Sequence, residues 1–237
     1  MWETTVGGRQ LHFHLAGINN QNFIMRDEET GSWWQQVTGE AIFGPLKGQR
    51  LRPVFHDELT FGTWKREQPQ GRVLRPNEEI TRAGKYAPAN WEERMTRAPV
   101  ATSMAPDKSF EPRRLVIGLT INGVSKAYPF DALARQNLIL DDVDGLPIFI
   151  VIGEDKKSVR AYERLVDGRK LEFFVKQDTS TWRLIDAETG SEWDFTGKAI
   201  AGPLSGKQLK KVALLNDYWF DWKAYNPRTL VYELGTR

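Results

Sequence analysis

Three histidines and two groups of carboxylates are the residues of this 237-residue chain whose spacing could support chemistry. His12 and His14 stand at i and i+2, which on an extended strand puts both imidazoles on one face, within reach of one divalent metal ion. His56 could complete the set. Exposed strand histidines beside a Gly-rich turn are also commonplace without a metal. Asp27, Glu28 and Glu29, with Asp57 and Glu58, could supply the two carboxylates of separated pKa that acid–base hydrolysis needs. Asp27 has a competing explanation as a turn residue, because Asp186 occupies the same place in a second copy of the surrounding sequence. A third group is suited to binding rather than reaction. Asn19, Asn20 and Asn22, followed by Trp33, Gln35 and Gln36, combine side-chain amides with an indole that a strand would leave exposed while Trp34 turns inward. Such a surface suits a small molecule or a glycan.

The elements that must position these residues read mainly as β. Lys170–Val175 and Thr181–Ile185 are short apolar-rich runs, joined to their neighbours by Asp-x-Glu-Thr-Gly-Ser turn chemistry. Leu115–Ile121, Asn122-Gly123 and Val124–Tyr128 form the strongest hairpin signal in the chain. Pro129–Arg135 predicts a short helix with Pro in its first turn, and Leu146–Ile152 a buried strand. A further short helix is expected after Asn216-Asp217, running through Tyr218–Tyr225 and stopped at Asn226-Pro227, with a counterpart after His56-Asp57 and before Pro69. From Arg75 to about Arg114 the prolines at 76, 88, 99, 106 and 112 forbid a long helix, and Trp91 is expected to pin this surface connection by packing.

The chain repeats itself. Asp27–Leu51 and Asp186–Leu209 align with one single-residue gap near Val37, and 15 of 24 pairs are identical. The match extends upstream from Trp2-Glu3 on Tyr162-Glu163 and downstream to Trp64-Lys65 on Trp222-Lys223, so the copies run 2–74 and 162–232. The expected organisation is a mainly β protein with a minor α component. Residues 1–74 form one unit, 75–114 a connection and 115–237 a second unit, with the units related by an approximate two-fold.

Composition narrows the function. With 33 Lys+Arg against 31 Asp+Glu and no basic run longer than two, a nucleic-acid partner is not expected. The absence of Cys removes disulfides, thiolate metal sites and cysteine nucleophiles. No apolar run approaches the roughly 20 residues of a membrane span. A phosphate-cradling Gly loop, a Gly-x-Ser-x-Gly elbow and a His-Glu-x-x-His helix are all missing.

Ala127-Tyr128-Pro129, Asp141-Asp142, Gly145-Leu146-Pro147, Asp186 to Trp193 and Gly202 to Gly206 resemble, in order and spacing, the prokaryotic family known as domain of unknown function 3179. The resemblance implies that residues 115–232 are one whole unit and, because family members often look exported, a periplasmic or extracytoplasmic location. Where the family has a Tyr-Cys-Pro-x-Cys-Gly motif this chain has Ile150–Asp155, so thiol chemistry is absent there. The first copy starts at the equivalent of Tyr162, which implies about 47 residues of a complete unit ahead of Trp2 and an exposed sheet edge open to self-association. Two functions follow as expectations. The first is a non-catalytic binding module using Asn19–Asn22 and Trp33–Gln36. The second is a metal-dependent or carboxylate-based hydrolase in the first repeat, centred on His12, His14 and Asp27.

Overall fold

The structure is a computed structural model that describes residues 1–84, 86–100, 107–176 and 182–233. In the first half, β1 (Thr5–Val6) and β2 (Arg9–Gln10) form a ribbon. They lead into an antiparallel meander of β3 (Phe13–Asn19), β4 (Asn22–Asp27), β5 (Trp33–Gln35) and β6 (Ala41–Phe43), then helix α1 (Phe61–Glu67). The connection carries two short exposed helices, α2 (Glu78–Arg82) and α3 (Trp91–Arg97). Trp91, expected to pin it, is 46 % exposed on α3, a helix that has no buried residue.

The second half opens with the hairpin of β7 (Leu115–Ile121) and β8 (Val124–Pro129), helix α4 (Phe130–Gln136), and strands β9 (Leu138–Val143), β10 (Leu146–Ile152) and β11 (Val159–Glu163). A ribbon of β12 (Leu165–Val166) and β13 (Arg169–Lys170) precedes a second meander: β14 (Phe173–Val175), β15 (Leu184–Asp186), β16 (Glu192–Trp193) and β17 (Ala199–Ala201). Then come β18 (Lys211–Val212), β19 (Leu215–Tyr218), helix α5 (Trp219–Tyr225) and β20 (Leu230–Val231). The sheets run β18-β11-β10-β9, β19-β7-β8-β20 and β14-β15-β16-β17, all pairs antiparallel except β20 on β8. The protein is therefore β-rich with five short helices among the described residues, and no helix is long and apolar enough to cross a membrane. The expected run Thr181–Ile185 begins outside the described residues, and its strand starts only at Leu184.

The unbroken apolar run of β10 follows from burial on both faces. Ile148, Ile150 and Ile152 enter one core with Ile117, Leu119 and Leu133, whereas Phe149 and Val151 enter another with Tyr162, Phe173 and Trp193. The first meander has one small core, in which Leu11, Trp34, Ala41 and Leu51 gather Trp2, Phe13 and Met25. Its outer strand β3 leaves Leu15 and Ile18 exposed.

Both meanders are held by the same side-chain arrangement. Asp27 accepts from the Thr30 backbone N–H, the Thr30 hydroxyl and Trp34 Nε1 at 2.8 Å, all with Trp34 fully buried. Asp186 accepts from Thr189 and from Trp193 Nε1 at 2.9 Å in the same way. Gly44 and Gly202 each sit at positive φ, where an added Cβ would lie 2.7 Å from the Cα of Ser32 or Ser191. Only glycine satisfies both demands.

Candidate functional site

The tip of the β3–β4 hairpin is a two-residue turn in which Asn20 and Gln21 both have positive φ, the conformation that matches strand twist and tolerates Asn. It brings Asn22 to the opposite half of the molecule, where its Nδ2 donates to Asp221 Oδ1. Further along the same sheet, Gln35 Nε2 donates to the Tyr225 hydroxyl at 2.8 Å. Asp221 and Tyr225 stand one turn apart on α5, so a single helix face meets both amides. Gln36 follows β5, and its carbonyl accepts from Trp2 Nε1 at 2.7 Å.

These groups border a cleft of about 240 Å³, lined by Trp2, Asn22 and Gln36 from the first half and by Asn216, Asp217 and Asp221 from the second, with Met1, Val37 and Leu215 as apolar wall. Burial pushes the Asp217 carboxyl up to about 8, and the neighbouring charges of Asp221 and Glu58 act in the same direction. Burial also raises Asp221, against hydrogen bonds from Asn22 and Asp217 that lower it. Two buried acids this close resist carrying two negative charges, so both are pushed toward their protonated forms.

Of the six expected binding residues, Asn22 and Gln36 line the cleft and Gln35 braces it. Asn19 and Asn20 build the turn and do not line it. Trp33 is on the sheet surface beside Phe43, ring centroids 6.4 Å apart, and is not among the lining residues. Asp217 was expected to help cap a helix. It lies instead in β19, paired opposite Val116, and α5 begins after Tyr218 with no side-chain cap. Two acids in an otherwise aromatic stretch, Asp217 and Asp221, are the mark it leaves in the sequence, and nothing there places them in a cleft.

The other candidates are occupied differently. His12 lies just before β3, and its Nδ1 is 2.6 Å from Glu29 Oε1; that hydrogen bond raises its pKa. His14 is on β3, and His56 is at 3.7 Å from Glu58. Among the described residues no three His, Asp or Glu are grouped to hold a metal ion. Burial pushes Asp27 up, but its bonds to Trp34 and Thr30 outweigh this and leave it below the ordinary value, a saturated acceptor.

A second junction lies at α1. Arg160, 4 % exposed, uses Nη1 and Nη2 on the two oxygens of Glu67, each at 2.7 Å, and Nη2 and Nε on Asp57 at 2.8 and 3.1 Å. Lys211 adds a third contact to Asp57 at 2.6 Å. Beside it, Asp155 accepts from the Thr60, Thr63 and Ser158 hydroxyls.

The chain matches, over residues 1–229, the family described as protein of unknown function (DUF3179), and it belongs to that family. No curated protein and no solved structure matches it.

Proposed function

We propose that this member of the DUF3179 family is a non-catalytic binding module that takes a small polar molecule in the cleft between its halves. The observation that carries the reading is the convergence of Asn22 and Gln36 from one half with Asn216, Asp217 and Asp221 from the other on one cavity. Clefts at the junction of two halves, with a few polar groups on an apolar wall, are the usual form of a small-ligand site.

The proposal includes a duplication, with units 1–74 and 115–237 joined by 75–114 and related by an approximate two-fold. Matched tryptophan–aspartate bonds in the two meanders support it. So does the contact of Asn216 Nδ2 with Glu58 Oε2 at 2.7 Å, because the repeat aligns these two residues with each other. A residue that touches its own counterpart lies on a two-fold axis. A hydrolase centred on His12, His14 and Asp27 has less support, since the first is engaged by Glu29 and the last by Trp34 and Thr30.

The test is a library of small polar compounds followed by NMR at the Trp2 indole N–H and the Asn22 and Gln35 side-chain amides. Saturable shifts at these groups are expected. A library that moves none of them overturns the reading.

A further inference from the structure

We propose that a second cavity, of about 560 Å³ beside helix α1, binds a neutral sugar ring. It shares no lining residue with the cleft above. Its volume is within the roughly 300–1,000 Å³ of small-molecule pockets.

One wall is aromatic. Phe61 and Trp64, one turn apart on α1, stack with ring centroids 5.6 Å apart and 27° between their planes, and Phe61 is exposed. The electron-rich face of such a ring favours the polarised C–H groups on one side of a pyranose. The other wall is polar and carries no net charge. Asp57 and Glu67 are matched there by Arg160 and Lys211, so the cavity selects neither a cation nor an anion. Hydrogen-bonding capacity is left over all the same. Among the described residues nothing donates to Asp57 Oδ1, since Arg160 and Lys211 both use Oδ2, and the Gln68 side-chain amide has no partner.

The donor that marks the site is Trp64 Nε1. Aligning Trp64-Lys65 and Pro69 with Trp222-Lys223 and Pro227 puts Gly71 opposite Thr229. On α5, Trp222 Nε1 donates to the Thr229 hydroxyl at 2.8 Å. Gly71 has no hydroxyl to offer, and the Trp64 ring lies so close to it that a Cβ there would collide with Cζ2. Among the described residues Trp64 Nε1 therefore has no acceptor. Unlike Arg164 Nε and Asn216 Oδ1, which are enclosed, it keeps surface that a ligand can reach. A sugar hydroxyl is donor and acceptor at once, so one ring can accept from Trp64, donate to Asp57 and lay its C–H face on Phe61.

The probes are the methyl pyranosides of glucose, galactose, mannose and N-acetylglucosamine, with the oligosaccharides of each, against tetrahydropyran, which has the ring without the hydroxyls. Binding is read by NMR at the Trp64 indole N–H and by calorimetry. At least one pyranoside should shift Trp64 saturably, and tetrahydropyran should not. An oligosaccharide that binds more tightly than its methyl glycoside identifies a glycan as the source of the ring, and equal affinity a free sugar; both support the site. Phe61→Ala, at an exposed ring, should melt as the parent does and weaken binding about ten-fold. Trp64→Phe, which keeps a ring and removes the N–H, should weaken it by a similar factor. A Trp64 signal that no pyranoside moves, tetrahydropyran binding as tightly as a sugar, or affinity unchanged in both variants overturns the proposal. Shifts at Trp2 with Trp64 silent overturn the sugar site and leave the cleft reading standing, whereas shifts at Trp64 with Trp2 silent support the sugar site and count against the cleft.

Discussion

Asp217 is the residue whose behaviour departs furthest from its ordinary chemistry. Folding raises its pKa from 3.8 to about 8, so between those values the folded state holds more protons than the unfolded one. Stability is therefore expected to fall as pH rises from about 4 to about 8, and to level off above. Asp217→Asn should flatten that slope in denaturant titrations; an unchanged slope would place the proton elsewhere. Asp27 and Asp186 are the opposite case, acceptors whose donors are in place. Replacing either by Ala leaves a buried indole N–H and a Thr backbone N–H without their acceptor, and should cost roughly 1–3 kcal/mol in urea unfolding. His12 should titrate above 6.5 by NMR and return toward that value in Glu29→Gln. At this scale the sequence was partly legible. Asp27 and Asp186 announced themselves by repetition, and Asn22 by its amide-rich turn. Asp217 could not be read as a buried acid, because its surroundings come from distant chain: Val116 beside it in the sheet, and Trp2 and Asn22 across the cleft.

Elements whose character is local were read well. The Asn122-Gly123 hairpin, the Pro129 helix start and β10 depend on turn chemistry and on a continuous apolar run, and all three stand where the residues place them. The segment before α5 was misread because Asn216-Asp217 resembles a cap. Pairing with β7 pulled it into a strand instead, and tertiary hydrogen bonds outweighed a cap worth about 1 kcal/mol. The α1 helix takes its cap from Thr60, whose hydroxyl donates to Asp155 at 2.6 Å. That turn joins helix to sheet through one carboxylate. Asp155→Ala should destabilise the protein by about 1–3 kcal/mol and loosen α1, seen as faster amide exchange over Phe61–Glu67. Thr60→Ser, which keeps the hydroxyl, should behave as the parent.

For the whole molecule, the likeness of Asp27–Leu51 to Asp186–Leu209 was visible in the sequence, but the way these stretches engage the rest of the chain was not. Each C-terminal helix reaches the opposite half: α1 through Arg160, α5 through Asn22 and Gln35. Aligned residues give no information on which half of the chain a helix will touch. The same view exposes a weakness at β3, the edge of the first meander, where Leu15 and Ile18 face outward. Edge strands of this kind pair with other chains. Concentration-dependent dimerisation is expected in sedimentation, and Leu15→Lys should suppress it; a monomer at every concentration would remove the edge from consideration.

The crossed helices carry a consequence for the chain as a thread. Neither half owns its full set of contacts, while helices α2 and α3 have no buried residue. A protease that cuts between α2 and α3 would leave two polypeptides still clasped around each other's helices. Made separately, the same two pieces would have to find one another before either could finish folding.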